Sequence, residues 1–95
     1  MDTKQGYQEK MEAQLQQLQT KIDELRVKAS LAKEDAKDAY QEQMKTLNHK
    51  QQEAQAKLQE LKSSSENAWQ EVKAGMDNAL NDLQNAFNKA TTHFS

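Results

Sequence analysis

A single apolar seam runs along this sequence and limits the possible folds more than any other feature. From Tyr7 to Phe94, nearly every third or fourth residue is apolar or small, a mean step of about 3.6 residues, which is the period of an α-helix. In the last third of the chain, apolar residues also recur every 11 positions, as Leu58, Trp69 and Leu80 do. Eleven residues make about three helical turns, so this repeat keeps its members on one narrow face. The seam therefore predicts an amphipathic helical protein.

The composition agrees with helix. Proline is absent, glycine occurs twice, and the strong helix formers Ala, Glu, Lys, Gln and Leu dominate the 95 residues. The mean hydropathy of −1.16 would also suit a disordered polar tail, but disorder usually brings proline and lacks periodicity. We therefore predict an all-α fold: one long amphipathic helix or two helices, in a coiled coil or helical bundle that mixes heptad and 11-residue repeats.

Two regions are predicted within this helical chain. Residues 1–62 form a long coiled-coil helix, and residues 63–95 form a shorter amphipathic helix. We place the break at residues 63–65, because Ser63 and Glu66 have the spacing of a helix capping box.

Other helix signals are weaker. Asp2 or Thr3 would cap the first helix. Residues 46–49 contain weaker helix formers near mid-chain, where a hairpin turn would fold the molecule in half. Neither this stretch nor the serine run contains the Gly or Pro that a tight turn normally uses, so a single uninterrupted helix also stays open.

The seam must be covered, since a helix in water is stabilised mainly by packing its apolar face. The sequence offers no second apolar surface of similar size, so we predict that copies of the chain cover one another. The stripe is broad near the C-terminus, which favours a trimeric or tetrameric homo-oligomer over a dimer. The predicted oligomer interface consists of Leu15, Leu18, Ile22, Leu25, Leu47, Leu58, Leu61, Trp69, Val72, Met76, Leu80, Leu83, Phe87 and Phe94.

Val27 and Leu31 fall outside the seam. At about 100° per residue they lie roughly 200–240° around the helix from Leu25. They are either two ordinary exposed aliphatic residues or a second contact surface, and a second surface would imply lateral packing beyond a dimer.

Two other modes of interaction stay open. The 66–94 helix could bind a membrane surface, because an 11-residue apolar stripe can lie flat on lipid with Trp69, Phe87 and Phe94 inserted. Its polar face is rich in Asn and net acidic, whereas anionic lipid usually recruits Lys and Arg. Alternatively, the helix is an adaptor that docks into a groove of another protein.

The sequence lacks the patterns of catalytic and cofactor sites. It contains no cysteine, and His49 and His93 lie far apart without further ligands at metal-binding spacing. No glycine-rich phosphate loop or nucleophile motif occurs, and no segment is a basic stripe for nucleic acid. We expect a protein that is not an enzyme and has no metal, cofactor, nucleic-acid partner or small-molecule substrate. Without a membrane-spanning run or an apolar signal core, we expect it in the cytoplasm.

The stretch AWQEVKAGMDNALNDLQNAFNKA, residues 68–90, resembles a family of small bacterial coiled-coil proteins described as stress-response proteins, found in cyanobacteria and proteobacteria. The segments AQAKLQELKSSSENAW and LQQLQTKIDELRVKA are similar to the same family, so the resemblance covers most of the chain. It implies a cytoplasmic helical protein linked to stress tolerance, with no catalytic residues.

Overall fold

Three α-helices make up the protein. The computed structural model describes residues 3–94, and the side chains of residues 3–92. The helices are α1 (Lys4–Ser30), α2 (Glu34–Ser63) and α3 (Trp69–Phe94), and the described residues contain no strand. They pack side by side into a bundle that measures 51 × 18 × 17 Å between Cα atoms. The predicted all-α helical bundle is therefore confirmed, with three helices where the sequence suggested one or two.

Helix α1 begins with a capped turn. Thr3 is its N-cap, with an extended backbone, and the Thr3 Oγ1 atom accepts a hydrogen bond of 3.0 Å from the backbone N–H of Gly6. This bond satisfies one of the N–H groups that a first helical turn leaves unpaired. Of the two residues proposed as caps, Thr3 has this role and Asp2 lies outside the described residues.

The break between α1 and α2 was not predicted. Leu31 ends the first helix, Lys33 is extended at φ −66° and ψ 154°, and α2 then starts at Glu34. Glu34 and Asp35 place two carboxylates in the first turn of α2, where they interact favourably with the positive end of the helix dipole. The seam residues at this point are alanines, which bury little area, so folding back covers more apolar surface than a straight helix would.

The second break lies between α2 and α3. Ser64 is extended, and α3 starts five residues later at Trp69. In the turn that leads into α3, the Ser65 Oγ atom accepts a hydrogen bond of 3.1 Å from the N–H of Ala68. The proposed cap Ser63 is wrong, because its hydroxyl donates back to the carbonyl of Gln59 within α2. Residues 46–49, the other candidate interruption, are continuous helix.

The chain reverses direction at each break. Glu12 pairs with Lys62 across α1 and α2, and Arg26 bonds to Asn48 across the same helices, so α1 and α2 are antiparallel. Helix α3 then runs parallel to α1, and α2 packs against both neighbours more closely than they pack against each other. The bundle core therefore forms around α2.

The seam of each helix turns inward, and the three seams cover one another. The expectation that only further copies could cover the seam is wrong, because one chain does so through its own two reversals. Homo-oligomer formation itself stays a prediction. Among the predicted interface residues, Val72 and Phe87 are half-buried, the side chain of Phe94 lies outside the described part, and the following are buried within the single chain: Leu15, Leu18, Ile22, Leu25, Leu47, Leu58, Leu61, Trp69, Met76, Leu80 and Leu83.

Candidate interaction surfaces

One end of the bundle is closed by an aromatic cluster. The ring of Tyr7 on α1 lies 5.8 Å from the ring of Trp69 at the start of α3, and the Tyr7 hydroxyl donates to the carboxylate of Asp77. The Lys73 ammonium lies 5.2 Å above the Tyr7 ring and 6.0 Å above the Trp69 ring, within the range of cation–π attraction. Trp69 is only 4 % exposed, so the closed bundle does not present its indole to a lipid surface.

Polar contacts hold the same end together. Lys4 donates from Nζ to the carbonyl oxygens of Lys62 and Ser64, at the C-terminus of α2 where helical carbonyls lack partners within the helix. Lys62 Nζ lies 2.8 Å from Glu12 Oε1. The hydrogen bond from Lys62, together with its positive charge, lowers the pKa of Glu12 below the ordinary 4.5. This end is therefore occupied by contacts within the chain.

The opposite end carries exposed apolar side chains. Val27 is 59 % exposed and Leu31 is 80 % exposed, and they are the large hydrophobic residues that remain on the surface of the described part of the chain. The Leu31 N–H bonds to the carbonyl oxygen of Val27 at 3.2 Å, and the Ser30 hydroxyl donates to the same carbonyl at 2.7 Å. We call Val27 and Leu31 the α1–α2 tip. Leu31 is the C-cap residue of α1 and is hydrogen-bonded to the last turn of that helix.

A groove lies beside this tip, between the end of α1 and the first half of α2. We call it the α1–α2 groove, and its volume is about 520 Å³. The apolar part of its lining comes from Ala29, Tyr40 and Met44. Its polar lining consists of Arg26, Ser30, Lys37, Gln41, Lys45 and Asn48. Three cations therefore surround an apolar floor.

A second groove of about 550 Å³ separates α1 from α3, and we call it the α1–α3 groove. Three apolar residues, Met11, Leu18 and Leu80, contribute to it. The remaining lining residues are polar, and most are amides or lysines: Lys10, Gln14, Gln17, Lys21, Asp77, Asn81 and Gln84. This groove exists because α1 and α3 pack against each other less closely than either packs against α2.

The described residues offer few candidates for a metal site or a membrane-spanning helix. No group of three or more His, Cys, Asp or Glu side chains that could hold a metal ion occurs among the described residues. His49 is 71 % exposed at its side chain, and its Nε2 lies 2.8 Å from the Glu53 carboxylate. None of the helices, as far as the structure describes them, is long and apolar enough to cross a bilayer.

The α1–α2 groove could not be predicted from the sequence without the turn that creates it. No spacing in the sequence connects Arg26 with Lys37, Tyr40 and Lys45. A signal for the turn does exist in the sequence. The acidic pair at 34–35 is typical of a first helical turn, and it lies between the small seam residues Ala32 and Ala36.

Comparison of the chain with protein-family models, with curated proteins and with solved structures finds no match.

Proposed function

We propose that this chain is a non-enzymatic interaction protein whose folded bundle self-associates through the α1–α2 tip. The observation that carries the proposal is the exposure of Leu31 and Val27 at one end of a bundle in which the other large apolar side chains that the structure describes are mostly covered. Contiguous exposed apolar patches mark contact surfaces, and Val27 and Leu31 form one small patch because they lie one helical turn apart. A second copy supplies the same patch, and two-fold pairing closes such a contact without further growth.

The contact is weak, because the tip is small. Complete burial of one valine or leucine side chain gains about 1.5–3 kcal/mol, and association must offset lost translational and rotational freedom. A stable interface usually covers about 800 Å² on each partner, far more than two side chains supply. We expect a dissociation constant of about 0.1–1 mM. The broad seam that favoured a trimer or tetramer is inside the bundle, so a dimer is the expected assembly.

The resemblance to bacterial stress-response proteins supplies the physiological setting of this proposal. Because the contact at the tip is weak, the extent of self-association depends on the concentration of the protein. The link to stress rests on the resemblance alone.

Sedimentation equilibrium tests the proposal. The apparent mass of the wild-type protein should rise above 10.9 kDa as its concentration increases from about 10 µM to about 1 mM. Leu31→Asp should abolish this rise, because two buried carboxylates would face each other without partners. Ala13→Asp makes a similar change at an exposed position of α1 away from the tip and should behave like the wild type. A wild-type mass that stays at 10.9 kDa, or an equal loss in both variants, would refute self-association at the tip.

Lipid-surface binding through α3 is the second candidate. It is supported by the amphipathicity of α3, the greatest of the three helices, but release of α3 must break its contact with α2, which is the most extensive contact between helices in the bundle. Release of α3 would free its apolar face for the bilayer, and it would separate Trp69 from Tyr7.

Vesicles distinguish the two candidates. If α3 opens onto lipid, phosphatidylglycerol vesicles should change Trp69 fluorescence and bind the protein even when Leu31→Asp is present. If the tip is the contact surface, vesicles should leave the fluorescence unchanged. A protein that stays monomeric and ignores vesicles would instead favour the adaptor role.

A further inference from the structure

Positive charge is concentrated in the α1–α2 groove. Arg26, Lys37 and Lys45 line it, and none of its lining residues, all within the described part of the chain, is acidic. The chain as a whole carries a formal net charge of −2, so this concentration is opposite to the average. We propose that the groove binds a soluble, single-tailed amphiphilic anion, such as a medium-chain carboxylate, and this inference does not depend on self-association at the tip.

The cations are positioned to receive an anion. Arg26 donates from Nη2 to Asn48 Oδ1 at 2.7 Å and pairs through Nη1 with Asp23 at 3.2 Å, so its charge is partly offset and the two lysines are the main cations of the groove. Within the described part of the chain, Lys37 and Lys45 form no ion pair. Their ammonium groups therefore keep their donors for an incoming carboxylate, which takes up such charge-assisted hydrogen bonds readily.

The floor of the groove suits an apolar tail. Met44 is a buried core residue, while Tyr40 and Ala29 are partly buried against the core. Methionine is flexible and adapts its shape to an apolar ligand. The volume of about 520 Å³ falls within the range of about 300–1,000 Å³ that small-molecule sites occupy. An apolar floor with cations at its rim matches a ligand that has one charged end and one hydrocarbon end.

The α1–α3 groove provides an internal comparison. It has nearly the same volume and also contains two lysines, Lys10 and Lys21. It differs in having the carboxylate of Asp77 and four amide side chains in its lining. An anion that is attracted only by lysine charge would bind in both grooves. The amphiphilic anion that we propose would bind preferentially in the α1–α2 groove.

A titration of the isotope-labelled protein with octanoate, followed by amide chemical shifts, tests the proposal. We expect saturable shifts that are largest for residues 26–30 and 37–48. Acetate, which has the charge without the tail, and 1-octanol, which has the tail without the charge, should each bind at least tenfold more weakly. Equal binding of either compound, shifts that never saturate, or equal shifts along the α1–α3 groove would overturn the proposal.

Paired variants identify the groove. Lys37→Gln with Lys45→Gln should weaken octanoate binding by about tenfold or more, because both ammonium groups are lost while both side chains stay polar. Lys10→Gln with Lys21→Gln removes the same charge from the other groove and should leave the affinity within about twofold of the wild type. Circular dichroism establishes that each pair is folded. An equal effect of both pairs, or no effect of the first, would contradict the assignment.

Discussion

Gly75 is an interior position of α3 at which the chain gives up stability. An ideal Cβ atom built there would lie 3.6 Å from the Lys57 Cδ atom, an ordinary van der Waals distance, and no glycine described by the structure has a positive φ. Gly75→Ala should therefore raise the free energy of unfolding by about 0.5–1 kcal/mol, because alanine loses less backbone entropy on folding. Urea denaturation followed by Trp69 fluorescence measures the change.

Gly6 is the control for this prediction. A Cβ atom at Gly6 would lie 3.1 Å from Thr3 Oγ1, the atom that caps α1. Gly6→Ala should therefore gain less than Gly75→Ala, or lose stability, since the capping hydrogen bond must shift. Equal gains at the two positions would show that the close approach at the cap is absent.

The ion pair of Glu12 and Lys62 makes stability depend on pH in a defined direction. The pKa of Glu12 is lowered in the folded protein, first by the hydrogen bond from Lys62, so its contribution is present above the ordinary pKa of 4.5. That contribution is lost as the pH falls through the lower, folded-state pKa. The advantage of the wild type over Glu12→Gln in unfolding free energy should be small, because the pair is at the surface, and should disappear in acid. Urea denaturation of both proteins at a series of pH values measures it, and an advantage that grew in acid would contradict the pairing.

At the scale of the helix, the turn between α1 and α2 can be tested with proline. Glu34 is the first residue of α2 and follows the extended Lys33, and both conditions suit proline. Glu34→Pro should change the unfolding free energy by no more than about 1 kcal/mol, since the stiffer unfolded chain offsets the lost carboxylate.

Asp38→Pro is the matched control, because it also removes one carboxylate from α2. Position 38 lies inside the helix, where proline removes a backbone hydrogen bond and clashes with the preceding turn, so we expect a loss of about 3 kcal/mol or more. Urea denaturation of both variants gives the comparison. If α1 and α2 were one continuous helix, Glu34→Pro would be as damaging as Asp38→Pro.

The sequence predicted the helices better than their boundaries. The period of the seam identified which side chains are buried, and Ile22, Leu61 and Leu83 are indeed fully buried. It could not locate the first turn, because the step of three or four residues continues in phase through Ala29 and Ala32. Because this turn leaves the phase of the apolar seam unchanged, the period of the seam gives no sign of it. The turn is favoured by the packing between helices that forms once the chain has reversed.

The missing signal for the first turn also restricts which candidate sites the sequence can predict. Val27 and Leu31 could be placed outside the seam from their angle on the helix, and the structure confirms that they are exposed. The groove next to them joins residues from two helices, which only the reversal brings together. The period of the apolar residues predicts which face of each helix is buried, but it does not predict which other helix packs against that face.

For the whole molecule, an apolar seam along a polar chain has two physical solutions. Copies can align their seams side by side, or one chain can fold back so that its segments cover each other. When one chain folds back, the added cost is the entropy of closing two short loops, and this cost rises slowly with loop length. Folding back also needs no second molecule, so it succeeds at any dilution, whereas an aligned assembly depends on concentration.

Small-angle scattering at low concentration distinguishes these solutions. The folded bundle has a Cα radius of gyration of 15.2 Å, and we expect a measured value close to it. One uninterrupted helix of about 90 residues would be about 135 Å long, with a radius of gyration of about 39 Å. Helix content measured by circular dichroism should stay constant on dilution into the low micromolar range, because the core of each chain is complete. A radius near the rod value, or helix lost on dilution, would show that copies of the chain are needed to cover the seam.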